Sequence, residues 1–200
     1  MKLRFSTTLV AGLLCVGAAV SSTPALATVI EYRALLSGPA EATPNNSPGT
    51  GTAEVFFDDL AHTLRVVINY SGLLGRTTAA HIHCCTALPA TGAVGVATQL
   101  PSFGGFLLGV QAGSYDQTFD LTQAASYNPT FVTNNGGSVA TAEAALGAGL
   151  AARKAYLNIH TDAFPSGEIR GFLIPEPASL GLLGLGLAGL AASRRRRGSS

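Results

Sequence analysis

The sequence predicts an all-β fold, an antiparallel β-sandwich with one short helical insertion. Apolar and polar residues alternate with a period of two through several short runs, and such alternation is typical of half-buried strands. Turn sequences that contain glycine or proline separate these runs. A single stretch near residue 145 departs from this pattern, because its alanine and leucine content favours a helix.

Residues 1–27 are predicted to be a secretory signal peptide, which signal peptidase removes. Two basic residues within the first four precede an apolar run at 9–20, and a small-x-small cleavage site follows at 25–27. The apolar run is too short to be retained as a membrane-spanning anchor. A lipoprotein signal acylated at Cys15 is the alternative, but Leu14 stands where such signals need a small residue.

Three strands are predicted in the first part of the mature domain. They lie at 29–36, 52–57 and 63–70. A turn-rich stretch with three prolines follows the first strand, and a short charged turn joins the second strand to the third. The third strand contains Val66, Val67 and Ile68, and such β-branched residues favour a half-buried strand.

The second part of the domain is predicted to contain four further strands and the helix. In chain order these are strands at 77–83 and 118–121, a helix at 141–154 and strands at 155–161 and 168–174. A loop at 88–114 with six glycines separates the first two of these strands. The last two strands form the clearest hairpin, because the turn at 162–167 contains its own proline and glycine.

These elements indicate one domain at residues 28–174, a sandwich of the immunoglobulin-like or superoxide-dismutase-like type. Its length is sufficient to bury a hydrophobic core. The domain has six basic and ten acidic residues, so its net charge is −4, against +1 for the whole chain. A mildly acidic surface without a basic cluster argues against nucleic acid as a partner.

The C-terminal residues 175–200 form a separate signal. An uncharged stretch at 178–192 lies between a Pro-Glu-Pro triplet and an arginine cluster, which are Pro175, Glu176 and Pro177 and Arg194, Arg195, Arg196 and Arg197. The stretch is shorter than the roughly 20 apolar residues that span a bilayer. The arginines would hold its end on the cytoplasmic side.

This order of triplet, apolar stretch and arginines closely resembles the PEP-CTERM sorting signal of Gram-negative bacteria. The resemblance implies transient anchoring in the inner membrane and cleavage near the triplet by an exosortase. The protein would then be exported to the cell surface or the extracellular matrix. A plain C-terminal tail anchor is the alternative interpretation.

The mature domain resembles the chordin-type (CHRD) domain in six short motifs. The motifs are YRALLSG at 32–38, GTGTA at 49–53, YSGL at 70–73, AHIH at 80–83, AYLNIHT at 155–161 and PSGEIRGFL at 165–173. The resemblance implies an extracellular β-sandwich without an established catalytic activity, acting as a structural or interaction module. Extracellular polysaccharide or surface proteins are its expected partners. The sequence departs from the family in the adjacent Cys84 and Cys85, and in a longer segment at about 101–154.

Three histidines are candidate metal ligands. His81 and His83 are two residues apart in a predicted strand, so their side chains share one face, and His160 lies in another strand. If the strands are neighbours, the three imidazoles can converge on one copper or zinc ion. Glu168 or Asp162 could add a carboxylate ligand, or could accept a hydrogen bond from a histidine that binds the metal. Ring nitrogens within about 4 Å of one another would suit a shared ion.

A structural polar network is the alternative interpretation of the same residues. Buried histidines often satisfy their hydrogen bonds without a metal. Glu168 and Arg170 are two residues apart on a predicted strand, so they could form a fixed ion pair. His62 lies in a charged turn and is expected to be solvated.

Cys84 and Cys85 are expected to form a vicinal disulfide. They are the cysteines that remain after removal of the signal peptide, and the exported compartment is oxidising. A bond between two chains and free thiols remain alternatives, because adjacent cysteines need an unusual geometry. As thiolates they would make the histidine site softer and favour copper(I) or zinc.

The sequence gives little support to an enzyme. Copper–zinc superoxide dismutase needs more histidines in a different order, no Gly-x-Ser-x-Gly occurs in the mature region, and no phosphate-binding loop is present. We therefore expect a non-enzymatic structural or interaction module. A metal-binding module is the second hypothesis, and a metal-dependent oxidoreductase is the third.

Overall fold

The computed structural model describes residues 29–176. The predicted signal peptide lies outside the described residues, as does the predicted sorting signal apart from Pro175 and Glu176. Within the described range, no helix is both long enough and apolar enough to cross a membrane.

Eight strands form one continuous antiparallel sheet. They are β1 (Ile30–Ser37), β2 (Thr50–Asp58), β3 (Thr63–Ser71), β4 (Thr77–His83), β5 (Gly113–Asp120), β6 (Tyr156–Thr161), β7 (Ile169–Phe172) and β8 (Ile174–Pro175). Their order across the sheet is β4-β6-β7-β1-β2-β3-β5, and β8 also pairs with β1. The sheet curls around a hydrophobic core. The predicted all-β antiparallel fold is confirmed, with one curled sheet supplying the packed layers.

The longest ladders join β1, β2 and β3. Ile30 pairs opposite Phe57, and the register continues without a break to Ser37 opposite Thr50. In β3 every second residue from Leu64 onward is buried, and the residues between them are exposed or half-buried. This alternation places one face of these strands in the core and the other toward solvent.

β5 begins five residues before the predicted strand and extends the sheet beyond β3. Gly113 pairs opposite Tyr70 at the start of this ladder. Tyr115 and Phe119 are the buried residues of β5, and they are four positions apart. The period-two pattern is therefore too weak in this strand to mark its first half.

Two α-helices, rather than the single predicted one, lie between β5 and β6. They are α1 (Pro129–Asn134) and α2 (Val139–Ala151), and two short 3-10 helices lie at Gly38–Ala40 and Ala124–Ser126. The side chain of Asn128 accepts the backbone N–H of Thr130, and a proline follows Asn128, so α1 has a favourable start. Ser138 and Thr141 form a reciprocal capping box, which starts α2 two residues before the predicted helix.

β4 from Ala80 onward, β6 and most of β7 are buried on both faces, and a second, polar layer lies on the face away from the core. Their core face carries apolar residues such as Ile82, Leu157 and Ile169. The opposite face carries His81, His83, Tyr156, Asn158, His160 and Arg170. Backbone carbonyls from surrounding loops hydrogen-bond to this layer. The predicted metal ligands therefore lie outside the hydrophobic core, beneath loops.

β8 attaches the start of the Pro-Glu-Pro triplet to the domain. Pro175 pairs opposite Tyr32, and the backbone N–H of Glu176 donates to the carbonyl of Glu31 at 2.9 Å. The carboxylate of Glu176 lies 3.2 Å from Nε of Arg33. No flexible spacer therefore separates the sheet from the first two residues of the triplet.

Candidate metal centre

The structure brings His81, His83 and His160 together; we call them the histidine trio. β4 and β6 are neighbours, with Ala79 opposite His160 and His83 opposite Tyr156. One ring nitrogen from each histidine lies within 4.8 Å of the others. This exceeds the separation of about 4 Å expected around a shared ion by less than 1 Å. The ring centroids are 5.3 to 5.8 Å apart.

Each ring of the trio is oriented by a backbone carbonyl. The bonds join His81 Nε2 to the Pro101 carbonyl (2.7 Å), His83 Nδ1 to the Val94 carbonyl (2.8 Å) and His160 Nδ1 to the Pro165 carbonyl (2.9 Å). A carbonyl oxygen only accepts, so the bonded nitrogen of each neutral ring carries the hydrogen. The other nitrogen of each ring therefore bears a free lone pair.

The three lone-pair nitrogens are buried and have no hydrogen-bond partner among the described residues. They are His81 Nδ1, His83 Nε2 and His160 Nε2. Buried polar atoms are normally hydrogen-bonded, so three unpartnered nitrogens close together are unusual. Histidines that bind metals typically donate their remaining N–H to a carbonyl or carboxylate, as these three do.

Burial keeps the trio in the form that binds metals. Desolvation lowers the pKa of His81 and the pKa of His83 to about 4, and it also lowers the pKa of His160. The hydrogen bonds to carbonyls oppose this shift without overcoming it. The imidazoles are therefore neutral at pH 7, and neutral imidazole is the metal ligand.

Tyr156 and Arg170 hold the site from one side. Tyr156 stacks on the ring of His83, and its hydroxyl lies 3.2 Å from both the N and the O of Val94. The guanidinium of Arg170 lies 4.7 Å from the centre of the Tyr156 ring. It donates to the carbonyls of Ala40 (2.6 Å) and Gly92 (3.0 Å). Arg170 thus ties two loops to the polar layer.

Glu41 lies beside Arg170 in the same buried layer. Its Oε2 is 3.8 Å from Nε of Arg170, and both side chains are about 5% exposed. Desolvation raises the pKa of Glu41 to about 7, although the positive charge of Arg170 lowers it. Oε1 of Glu41 has no hydrogen-bond partner among the described residues.

The structure gives the two predicted supporting carboxylates other partners. Glu168 is fully buried and accepts four hydrogen bonds, from Ser47 Oγ, Thr161 Oγ1 and the backbone N–H groups of Leu74 and Gly75. Asp162 accepts the backbone N–H of Arg76 at 2.8 Å. Among the described residues, neither carboxylate is bonded to a histidine of the trio.

The predicted ion pair between Glu168 and Arg170 is wrong. Glu168 precedes β7, and Gly167 before it has a φ of +124°, so the backbone leaves the regular strand alternation at this point. The carboxylate of Glu168 instead fixes the loop at 74–75 against the end of β6, next to His160. Its role in the described structure is to position that strand end.

Cys84 and Cys85 are joined in a disulfide, and the peptide bond between them is cis. Cys84 is buried in the hydrophobic core, and a Cβ added to Gly149 of α2 would collide with both sulfurs. The disulfide therefore packs against the helix. Within residues 29–176, the ligand group around the trio includes no cysteine sulfur.

His62 is bonded rather than simply solvated. Its Nδ1 lies 2.9 Å from Oε1 of Glu143 in α2, while half of its side chain remains exposed. The hydrogen bond to Glu143 raises the pKa of His62. This histidine joins the β2–β3 turn to the helix and is separate from the trio.

Comparison with known families supports the sequence resemblances. The family model described as the CHRD domain matches residues 32–173, and the model described as the PEP-CTERM protein-sorting motif matches residues 173–197. The two matches meet at Leu173. No curated protein and no solved structure matches the chain.

Proposed function

The chain belongs to the CHRD domain family and carries a PEP-CTERM sorting motif, so it is an exported protein sorted by an exosortase; from this premise we propose that it binds metal. Specifically, the histidine trio holds one copper or zinc ion. The protein would carry this ion at the cell surface or in the extracellular matrix. The proposed function is binding, without a catalytic step.

One observation carries this proposal: among residues 29–176, three histidine rings converge, and each has a buried nitrogen without a hydrogen-bond partner. A buried polar atom without a hydrogen bond costs about 1–3 kcal/mol of stability. A purely structural network would remove that cost by pairing these nitrogens with donors. A single metal ion satisfies all three at once, and the carbonyl bonds already fix the rings in the tautomer that it needs.

Binding requires a small closure of the trio. Metal–nitrogen bonds of about 2.1 Å in a trigonal plane place the ligand nitrogens about 3.6 Å apart. The ligand nitrogens lie within 4.8 Å of one another, so the widest pair must approach by up to about 1.2 Å. Rotation of His160 can supply it, because this is the least buried ring of the three.

A structural or interaction role is the second candidate function. The observation that favours it is an open groove of about 500 Å³ along β1, β2 and β8, where Leu35 is 80% exposed. Exposed apolar surface of this kind is typical of protein interaction sites. A surface protein or extracellular polysaccharide would be the partner. This role is compatible with metal binding, because β1, β2, β7 and β8 line the groove, whereas the histidine trio lies on β4 and β6.

Metal analysis of the exported protein tests the proposal. We expect about one equivalent of copper or zinc per chain after loading and desalting. His160→Ala should abolish retention, whereas His62→Ala should retain the metal, because His62 lies outside the trio. Less than about a tenth of an equivalent in the unmodified protein would contradict a site of this design.

A further inference from the structure

We propose that the histidine trio selects copper in its reduced state, copper(I), over zinc and copper(II). This inference rests on the proposed metal-binding function and specifies which ion the site accepts. Three features of the site carry it: the shape of the ligand triangle, the exclusion of solvent, and the charge of the surroundings.

The ligand triangle fits an ion that lies in the plane of its ligands. The three ring centroids are 5.3, 5.8 and 5.8 Å apart, which is close to an equilateral triangle. The point equidistant from them lies about 3.3 Å from each, so a ring turned toward that point would place its nitrogen about 2.1 Å from an ion there. Because the nitrogens are already widely spaced, any displacement of the ion out of this plane would lengthen all three bonds.

Solvent does not supply a fourth ligand. The three lone-pair nitrogens are buried, so bulk water does not contact them. The ligand group within 4.8 Å contains three imidazole nitrogens and no carboxylate or sulfur from residues 29–176. Glu168 and Asp162 are bonded elsewhere, and Cys84 and Cys85 are bonded to each other. Of the histidine, cysteine and carboxylate side chains of residues 29–176, three therefore reach an ion in this space.

Coordination number separates the three ions. Protein-bound zinc is almost always tetrahedral with four ligands. Copper(II) prefers a square-planar or tetragonal set, which needs at least four. Copper(I) has a filled d shell and is stable with three ligands in one plane. A dry, planar set of three neutral nitrogens therefore meets the needs of copper(I) alone among these ions.

The charge of the surroundings also favours copper(I). Three neutral imidazoles do not compensate the charge of the ion, and the cost of burying an ion rises with the square of its charge. Arg170 adds a fixed positive charge to the same buried layer, and among residues 29–176 Glu41 is the carboxylate paired with it. A monovalent ion is therefore favoured over a divalent one.

Competition titrations of the exported protein test the inference. Copper(I) is added without oxygen against a chromogenic copper(I) chelator, zinc against a fluorescent zinc chelator, and copper(II) is followed by electron paramagnetic resonance. We expect one copper(I) per chain, bound at least about a hundredfold more tightly than zinc. X-ray absorption of the copper(I) form should show about three nitrogen neighbours near 2 Å.

Two results would overturn the inference, and they are distinguishable. Equal or tighter binding of zinc or copper(II), with a fourth ligand in the absorption spectrum, would refute the preference for copper(I) and leave the metal site intact. Absence of binding by all three ions would refute both this preference and the proposed function. The measurements use the unmodified protein, so misfolding of a variant cannot produce either result.

Discussion

The rings of His83 and Tyr156 lie face to face, with their centroids 4.7 Å apart and their planes 7° from parallel. The hydroxyl of Tyr156 also contacts Val94, whose carbonyl accepts the Nδ1–H of His83. Tyr156 therefore positions His83 in two ways. Its ring stacks on the imidazole, and its hydroxyl contacts Val94, whose carbonyl sets the tautomer of that imidazole. The metal affinity of the site should depend on this residue although it is not a ligand.

Tyr156→Phe should weaken metal binding while the fold is retained. The substitution keeps the stacked ring and removes the hydroxyl that holds Val94, and changes to groups behind metal ligands typically cost 10- to 100-fold in affinity. We expect a loss of about tenfold in a chelator competition titration. Tyr127→Phe is the matched control, because its buried hydroxyl bonds to the Leu121 carbonyl, outside the three loops whose carbonyls orient the trio. Equal effects of the two substitutions would show that Tyr156 does not act through the site.

Arg170→Met should destabilise the fold, and Glu41→Gln should partly restore it. Removing one partner of a buried ion pair leaves the other charge uncompensated and typically costs about 3–5 kcal/mol. The free energy of unfolding from urea titrations at pH 8, above the pKa of about 7 that Glu41 has beside Arg170, measures both effects. A double variant as unstable as Arg170→Met alone would mean that the loss comes from the loop carbonyls rather than from Glu41.

Gly149→Ala should destabilise the protein because α2 packs against the disulfide at this glycine. A methyl group there would collide with the sulfurs of Cys84 and Cys85, and overpacking of this kind costs about 1–3 kcal/mol. Gly95→Ala is the control, since a Cβ at that position meets no atom within 4 Å. Thermal and urea unfolding should separate the two variants, and indistinguishable stabilities would contradict the packing of the helix on the disulfide.

The metal-free protein should lose stability as the pH falls from about 6.5 to about 4. The folded-state pKa values of His81 and His83 are about 4, below the ordinary value of 6.5. The unfolded chain therefore binds protons first, and each histidine removes up to about 1.4 kcal/mol per pH unit in this window.

Glu41 acts in the opposite direction and must be separated from the histidines. Its folded-state pKa of about 7 lies above the ordinary 4.5, so its contribution is present below pH 4.5 and is lost as the pH rises toward 7. In Glu41→Gln the acid-side loss should become steeper. Urea titrations between pH 4 and 8 measure both slopes, and a flat profile in Glu41→Gln would contradict burial of neutral histidines.

The candidate ligand residues could be predicted from the sequence, but the proximity of their side chains in the fold could not. His81 and His83 share a face because of strand periodicity, which is a local property. Their approach to His160 depends on the pairing of β4 with β6, which are more than 70 residues apart in the chain. The carbonyls of Val94, Pro101 and Pro165 that orient the rings belong to loops, and any residue type supplies a carbonyl.

The predictions that failed relied on local sequence patterns at positions where the secondary structure does not follow those patterns. The ion pair of Glu168 with Arg170 assumed a strand that starts at Glu168, whereas β7 starts at Ile169. α1 was missed because it has only six residues, although Asn128 and Pro129 are a recognisable helix start. The strongly alternating β3, by contrast, begins at its predicted residue and ends within one residue of its predicted end.

A crystal structure of the copper(I)-loaded protein, with anomalous scattering recorded at the copper edge, tests the central claim most directly. We predict one anomalous peak about 2 Å from His81 Nδ1, His83 Nε2 and His160 Nε2, with the three carbonyl hydrogen bonds retained. A loaded crystal with no peak between these nitrogens, or with the peak at other residues, would contradict the claim that the trio is a metal site.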